Sequence, residues 1–198
     1  IRAKVAGDLE QGDWQVVFGL IDIDNGYDAF SLDNDRNTRS DEPGSDTQES
    51  QYVGINFGLN LNEKVALDAS AAYVTSDIDY GYDEDWTFAG FDAIGYSATD
   101  LYSRDIDTVT LDLRMLSRAG AGLAEGKVDW VVGFYVLDRK VDLIRQYTYL
   151  ENNFSSNFDV DRVAFYGEVS SDLAKGLRLS VGLRAEEHSS NYSDSESV

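Results

Sequence analysis

The sequence predicts an all-β protein, an antiparallel up-and-down meander of about eight strands. Three observations predict it. Apolar and polar residues alternate with a period of two in one stretch after another, as strands with two unlike faces require. The composition, 17 Gly, 12 Tyr and one Pro in 198 residues with no Cys, suits a turn-rich β protein built without disulfides or thiolate metal sites. No run approaches the ~20 consecutive apolar residues of a membrane helix, which excludes helical spanning and leaves a β-barrel open.

Taken in order, Ile1, Ala3 and Val5 oppose Arg2 and Lys4 in a first strand over residues 1–9, and a polar turn follows from Asp8 to Asp13. Trp14, Val16, Phe18 and Leu20 form the apolar side of a second strand that runs into Asp22-Ile-Asp-Asn-Gly-Tyr-Asp28. Residues 32–50 are polar and predict a long loop. The third strand, Gln51 to Asn62, sets Val53, Ile55, Phe57, Leu59 and Leu61 against Tyr52, Gly54, Asn56, Gly58 and Asn60. Beyond a turn at Glu63-Lys64, the fourth carries Val65, Leu67, Ala69, Ala71 and Tyr73 and continues to Asp83; a second long loop is expected over residues 84–104. The fifth places Val109, Leu111, Leu113 and Met115 against Thr108, Thr110, Asp112 and Arg114, and a Gly- and Ala-containing turn, Arg118 to Lys127, reverses it. The sixth carries Val128, Trp130, Val132, Phe134 and Val136 and extends in more polar form through Arg145 to Tyr149.

Strands seven and eight form a hairpin. Val163, Phe165, Val169 and Leu173 share one parity on the first arm, and Leu177, Leu179, Val181, Leu183 and Ala185 alternate with Arg178, Ser180, Gly182 and Arg184 on the second. A turn at Ala174-Lys175-Gly176 predicts that Leu173 faces Leu177, Val169 faces Val181 and Asp172 faces Arg178.

Alternation alone does not choose between water and lipid. The lengths of the connections do: short or modest turns follow strands one, three, five and seven, and long acidic ones follow two, four and six, the asymmetry of outer-membrane barrels. Trp14 and Trp130, each preceded by Asp, begin strands at the short-turn end, where an aromatic girdle marks a membrane boundary. The apolar faces run near the ~9–11 residues of a tilted transmembrane strand. The expectation is that Ile55, Phe57, Leu59, Val109, Leu111, Leu113, Val181 and Leu183 all point to lipid. The competing reading is an acidic β-sheet binding module or adhesin in water.

Several motifs resemble the TonB-dependent outer-membrane receptors of Gram-negative bacteria: Asp129-Trp-Val-Val-Gly-Phe-Tyr135 with Arg145-Gln-Tyr-Thr-Tyr149, Val163-Ala-Phe-Tyr-Gly-Glu168, Leu177-Arg-Leu-Ser-Val-Gly-Leu-Arg184, and Gly81-Tyr-Asp-Glu-Asp-Trp86. The resemblance implies a 22-stranded barrel around an N-terminal plug, so residues 1–198 are expected to be an open, curved part of the wall, without the plug and the remaining strands. Ser193-Asp-Ser-Glu-Ser-Val198 lacks the terminal aromatic usual in such barrels, which fits an internal fragment with unpaired edges at strands one and eight. It also implies uptake of a scarce ligand of the siderophore, vitamin or saccharide class, driven by the TonB complex.

The net charge of −21 argues against nucleic acid as a partner. The near-repeat Asp22 to Asp28 and Asp77 to Asp83 invites Ca²⁺, but neither copy has EF-hand spacing, and solvated strand ends are favoured. His188, the single histidine, reads as an exposed polar residue rather than a triad member, and Asp41-Glu-Pro-Gly-Ser-Asp46 as a hydrated loop. No catalytic residue, metal site or cofactor is assigned. Tyr52, Asn56, Asn60, Asp68, Ser70, Thr108, Thr110, Asp112, Arg114, Tyr166, Glu168, Arg178 and Arg184 are expected to line the lumen. Tyr82, Trp86, Arg145, Tyr147 and Tyr149, higher on the wall, are the candidate ligand contacts, because aromatic and Arg groups bind by stacking and charge.

Overall fold

A computed structural model describes residues 1–26, 30–42, 44–93 and 95–196. One antiparallel sheet contains eight strands in chain order: β1 (Arg2–Leu9), β2 (Gly12–Asp24), β3 (Ser45–Asn60), β4 (Val65–Asp83), β5 (Thr99–Ser117), β6 (Val128–Tyr147), β7 (Phe154–Ala174) and β8 (Leu177–Asp194). β1 and β8 are its two edges, and among the described residues no ladder joins them. A short helical turn, Leu123–Gly126, lies between β5 and β6.

Several boundaries differ from expectation, and the ladder is the reason. β3 begins at Ser45 rather than Gln51, because the polar run Ser45 to Ser50 pairs with β4 from Gly81 to Ser76. β5 begins at Thr99 rather than after Arg104, paired with β4 through Asp83↔Thr99. β6 and β7 remain paired up to Arg145↔Phe154, so the connection between them is only residues 148–153 and not the third long loop. Tyr149 thus falls in a turn. At the other end Glu10 and Gln11 alone separate β1 from β2, where a six-residue turn was expected. In the last hairpin Val169↔Val181 and Asp172↔Arg178 pair as expected, but a bulge lets Ala174 oppose Leu177, so Leu173 does not. The turn shortens to Lys175-Gly176, with Gly176 at φ 78°.

Directly paired residues project to the same side, so the register sorts the faces. Leu59, Leu67, Met115, Val132 and Leu183 share one row; Trp14, Phe57, Ala69, Leu113, Phe134, Phe165 and Ala185 the next; Val16, Ile55, Leu111, Val136 and Val163 a third. Among the described residues no second layer covers this face. Leu183 is 83% exposed and Phe165 65%, and among the described residues the buried apolar side chains are only Val17, Ala98 and Ala164. A single sheet with an oily face and no core is stable where another apolar medium covers that face.

The upper edge of the apolar band is oblique. Through Gln51, Thr75, Asp107, Lys140 and Asp159, Leu20 lies level with Asn191, yet the apolar face of β8 ends at Ala185, six residues lower. About 20 Å along the strands over about 29 Å of sheet width corresponds to strands inclined about 35° to the normal of the band. Outer-membrane barrels tilt by ≈ 35–45°. In this tilted frame Trp14 and Trp130 become equivalent: each stands six residues below the last residue of the unbroken apolar run on this face of its own strand, Leu20 and Val136. From Val65 to Tyr73 the band spans about 27 Å of strand, or about 22 Å of height, close to the ~25 Å band of such barrels. We take the membrane-spanning segments to end at these last apolar residues.

On the opposite face two glycines are covered by tyrosine rings from the neighbouring strand. Tyr52 lies over Gly19 and Tyr166 over Gly133, each a direct cross-strand partner. The Tyr166 hydroxyl reaches past β6 to donate to Asp112 at 2.7 Å, and Arg114 approaches the same carboxylate at 3.1 Å. A Cβ on Gly133 would collide with the Tyr166 ring, whereas at Gly54 the nearest atom is a backbone oxygen at 4.0 Å. Gly133→Ala should therefore destabilise the protein by ~1–3 kcal/mol through overpacking and loss of the Tyr166–Asp112 bond. Gly54→Ala is the control; equal shifts of their urea midpoints would refute this account.

Candidate functional site

Above the band the two faces exchange character. On the lipid-facing side Asp22, Glu49, Asp77, Asp105 and Asp142 form one continuous cross-strand row. Like charges directly opposite one another repel, and Asn157 caps the row by donating to Asp142 at 2.6 Å. On the other side, at the same height, stand Ile21, Ile106, Val141 and Phe158, with Ile23, Ile78 and Leu143 in the next row. The proposed near-repeat is part of this acidic rim: Asp22, Asp24, Asp77 and Asp79 face outward, and Tyr27 and Asp28 lie outside the described residues. No group of three or more His, Cys, Asp or Glu among the described residues is placed to hold a metal ion.

The inner rows end in an aromatic and charged cluster at the tops of β4, β5 and β6. Its hub is Asp100, whose side chain is 3% exposed. Arg145 grips it with two bonds, Nε to Oδ1 at 2.8 Å and Nη2 to Oδ2 at 2.6 Å, a bidentate pair that fixes the guanidinium plane. The Tyr102 hydroxyl donates to the same carboxylate at 2.9 Å and that of Tyr82 at 3.4 Å. Arg145 also lies over the rings of Tyr147 and Tyr102, at 5.0 and 5.3 Å from their centroids. Burial alone would raise the Asp100 carboxyl, but the bonds from Arg145 and Tyr102 outweigh it and hold it below the ordinary aspartate range. Tyr147 is pushed up to about 12, first by its hydrogen bond to Glu84 and then by burial.

The aromatic surface extends in both directions. Phe30, from the connection between β2 and β3, stacks on Trp86 at 5.0 Å and meets Tyr82 edge-on at 5.9 Å. Trp86 holds φ at 57°, a left-handed conformation uncommon outside glycine, so the loop is bent to present this ring. Tyr149 packs edge-on against Tyr147 at 5.6 Å and lies 6.2 Å from Tyr96.

All five candidate ligand contacts, Tyr82, Trp86, Arg145, Tyr147 and Tyr149, thus belong to one contiguous cluster. Arg145 differs from expectation: its charge is already matched by Asp100, so its exposed part offers a flat stacking surface more than a free cation. Sequence reasoning missed Asp100, Tyr102, Phe30 and Glu84. The signal for the first two was the parity of Thr108 and Thr110, which, carried back along β5, reaches Arg104, Tyr102 and Asp100.

The thirteen residues assigned to the lumen all lie on the face opposite the apolar band. They form small networks rather than an open polar wall. Arg178 spans three strands, bonding Asp129 at 2.6 Å, Ser170 at 2.7 Å and Asp172 at 3.5 Å; Arg184 pairs with Glu186 and lies over Tyr135 and Tyr166. His188 accepts a hydrogen bond from Arg162 Nε at 2.9 Å, with no hydroxyl nucleophile bonded to it among the described residues.

Neither a protein-family profile nor a curated protein matches the sequence. Solved structures do. The ferric yersiniabactin uptake receptor FyuA from Yersinia pestis superposes with a TM-score of 0.67 at 10% identity, over 98% of this chain and 33% of that one. The ferric citrate transporter FecA, in its unliganded form, gives 0.68 at 11% identity over 98% of this chain and 30% of that one. BauA, the ferric preacinetobactin receptor from Acinetobacter baumannii, gives 0.61 at 14% identity over 99% and 34%. The chain spans about a third of the length of each. At these identities the common property is the fold: an open, eight-stranded antiparallel sheet that superposes on a part of each of these three proteins.

Proposed function

We propose that this chain is part of the barrel domain of an outer-membrane TonB-dependent receptor that takes up a scarce small molecule. The observation that carries this reading is the oblique apolar band, inclined at the angle of an outer-membrane barrel, on a sheet whose other face is polar at band height and aromatic above it. The partners are then outer-membrane lipid on one side and, on the other, the receptor's own plug domain, with the TonB complex supplying energy. The plug and the remaining strands of a 22-stranded wall belong to other parts of the longer protein. Residues 1–198 are one partial barrel domain, its inner face lining the lumen and bonding the plug.

The ligand class is siderophore, vitamin or saccharide, met first by the surface of Tyr82, Trp86, Arg145, Tyr147 and Tyr149. The protein moves its ligand without a covalent reaction. The binding module in water is disfavoured because it leaves the face of Phe57, Leu113, Phe165 and Leu183 uncovered.

The full-length gene, expressed in a Gram-negative strain lacking its own receptors, should restore growth on one member of a panel of ferric siderophores, cobalamin and oligosaccharides. That growth should vanish when TonB is deleted. Recovery of the protein in the aqueous extract rather than the outer-membrane fraction would sink the reading, as would uptake indifferent to TonB.

A further inference from the structure

The connections after β2 and β4 meet at the top of β4. Asp83, its last residue, is 1% exposed, and among the described residues neither oxygen of its carboxyl group has a hydrogen-bond partner. The Oγ of Ser40, from the first connection, is buried beside it, close enough to draw the Asp83 carboxyl down but outside hydrogen-bond geometry. Two residues along, Asp85 is well supplied: Thr87 Oγ1 donates to it at 2.7 Å and the Ala98 backbone N–H at 3.1 Å. Beside Ser40, Asp41 accepts from the Ala89 backbone N–H at 2.9 Å, which ties the two connections together.

An ionised carboxylate buried without donors is among the costliest groups to keep in a folded protein. The groups acting most strongly on Asp83 are Asp85 and Ser40. Glu84 and Tyr96 are its other titratable neighbours, and its partner on β5 is Thr99; none of these is a cation. The cost is removed by a bound cation or by a proton. Ca²⁺ takes six to eight oxygens, and no three acidic residues are placed to supply them among the described residues. One proton suffices, since a neutral Asp83 donates to Asp85, whose two other bonds already favour its anionic form.

We propose that Asp83 and Asp85 share a single proton, and that this proton keeps the end of β4 packed against Ser40 of the connection after β2, as a latch at the junction of the two connections. The electrostatics agree: burial, and then Asp85 alongside, push the Asp83 carboxyl up. For Asp85 burial alone would do the same, but Thr87 and Ala98 outweigh it and hold the group down. A raised carboxyl contributes stability that is full below the ordinary aspartate range and is lost as pH rises through its folded value. The latch therefore opens as the outside medium becomes alkaline. Through the Phe30–Trp86 stack, opening also loosens the aromatic cluster. The latch stands independently of the receptor reading, since it concerns the loop junction alone.

The test is hydrogen exchange at the Ala89 and Ala98 amides of the full-length protein in detergent micelles, from acid to alkaline pH. Wild type and Asp83→Asn are compared at each pH, so that the pH dependence of exchange itself cancels. The side-chain amide of the Asp83→Asn variant offers its N–H to Asp85 at every pH. Wild-type protection should equal that of the variant in acid and fall at least about tenfold below it in alkali, as local opening of the junction requires. Should Asp83→Asn fail to fold, Asp85→Asn supplies the donor from the other side and should flatten the profile equally. Identical profiles for wild type and variants overturn the proposal. Restoration of wild-type protection in alkali by added CaCl₂ also overturns it, because the pair would then hold a cation.

Discussion

Leu111→Arg should destabilise the full-length protein by ~2–4 kcal/mol in a lipid or micelle folding assay, whereas Thr110→Arg, one residue away, should cost less than ~1 kcal/mol. Leu111 stands in the row of Val16, Ile55, Val136 and Val163, near the middle of the apolar band, so an Arg there must keep its charge in hydrocarbon or distort the bilayer to reach water. Thr110 pairs with Ala72 and Leu137 on the opposite face, in a row that also holds Lys4, Arg162 and His188. That face already carries cations. Equal costs in reversible unfolding would show that the two faces have been misassigned.

Asp100→Ala should cost ~2–3 kcal/mol. Removing one member of a buried ion pair costs ~3–5 kcal/mol, and the estimate is reduced because the Arg145 side chain is 35% exposed and water recovers part of its charge. Tyr82 and Tyr102 lose their acceptor at the same time. A double-mutant cycle with Arg145→Ala checks the attribution: the double variant should be less destabilised than the sum of the single ones, and strict additivity would remove the pair from the account. The pH dependence runs opposite to that of Asp83. The Asp100 carboxyl is held below the ordinary range, so its contribution is full above that range and is lost as pH falls through its folded value. Asp100→Asn should lack this acid sensitivity.

Much of the wall was legible because its signal is local. Val53 to Leu61 declare a strand and its two faces through period two alone, and the same parity correctly grouped Ile55, Leu111 and Leu183 on one side although they lie on three different strands. The polar strand tops were not legible. Ser45 to Ser50 and Thr99 to Arg104 contain too few apolar residues to alternate, and they are strands only because neighbours on both sides extend the ladder to them. The site suffered accordingly. Tyr82, Arg145 and Tyr147 stood out by residue type, but Asp100, which holds them together, was hidden in an apparent loop, and Phe30 is distant from Trp86 in sequence.

The period of two within each stretch was enough for the fold class, the approximate number of strands and the residues that share a face, whereas the membrane expectation rested on the lengths of the connections and on Trp14 and Trp130. The tilt of the band, the acidic row from Asp22 to Asp142, the neutralisation of Arg145 by Asp100 and the burial of Asp83 beside Asp85 emerged only from the assembled sheet. Each of these depends on register or on contact between loops, a relation between segments far apart in the chain that no single stretch encodes.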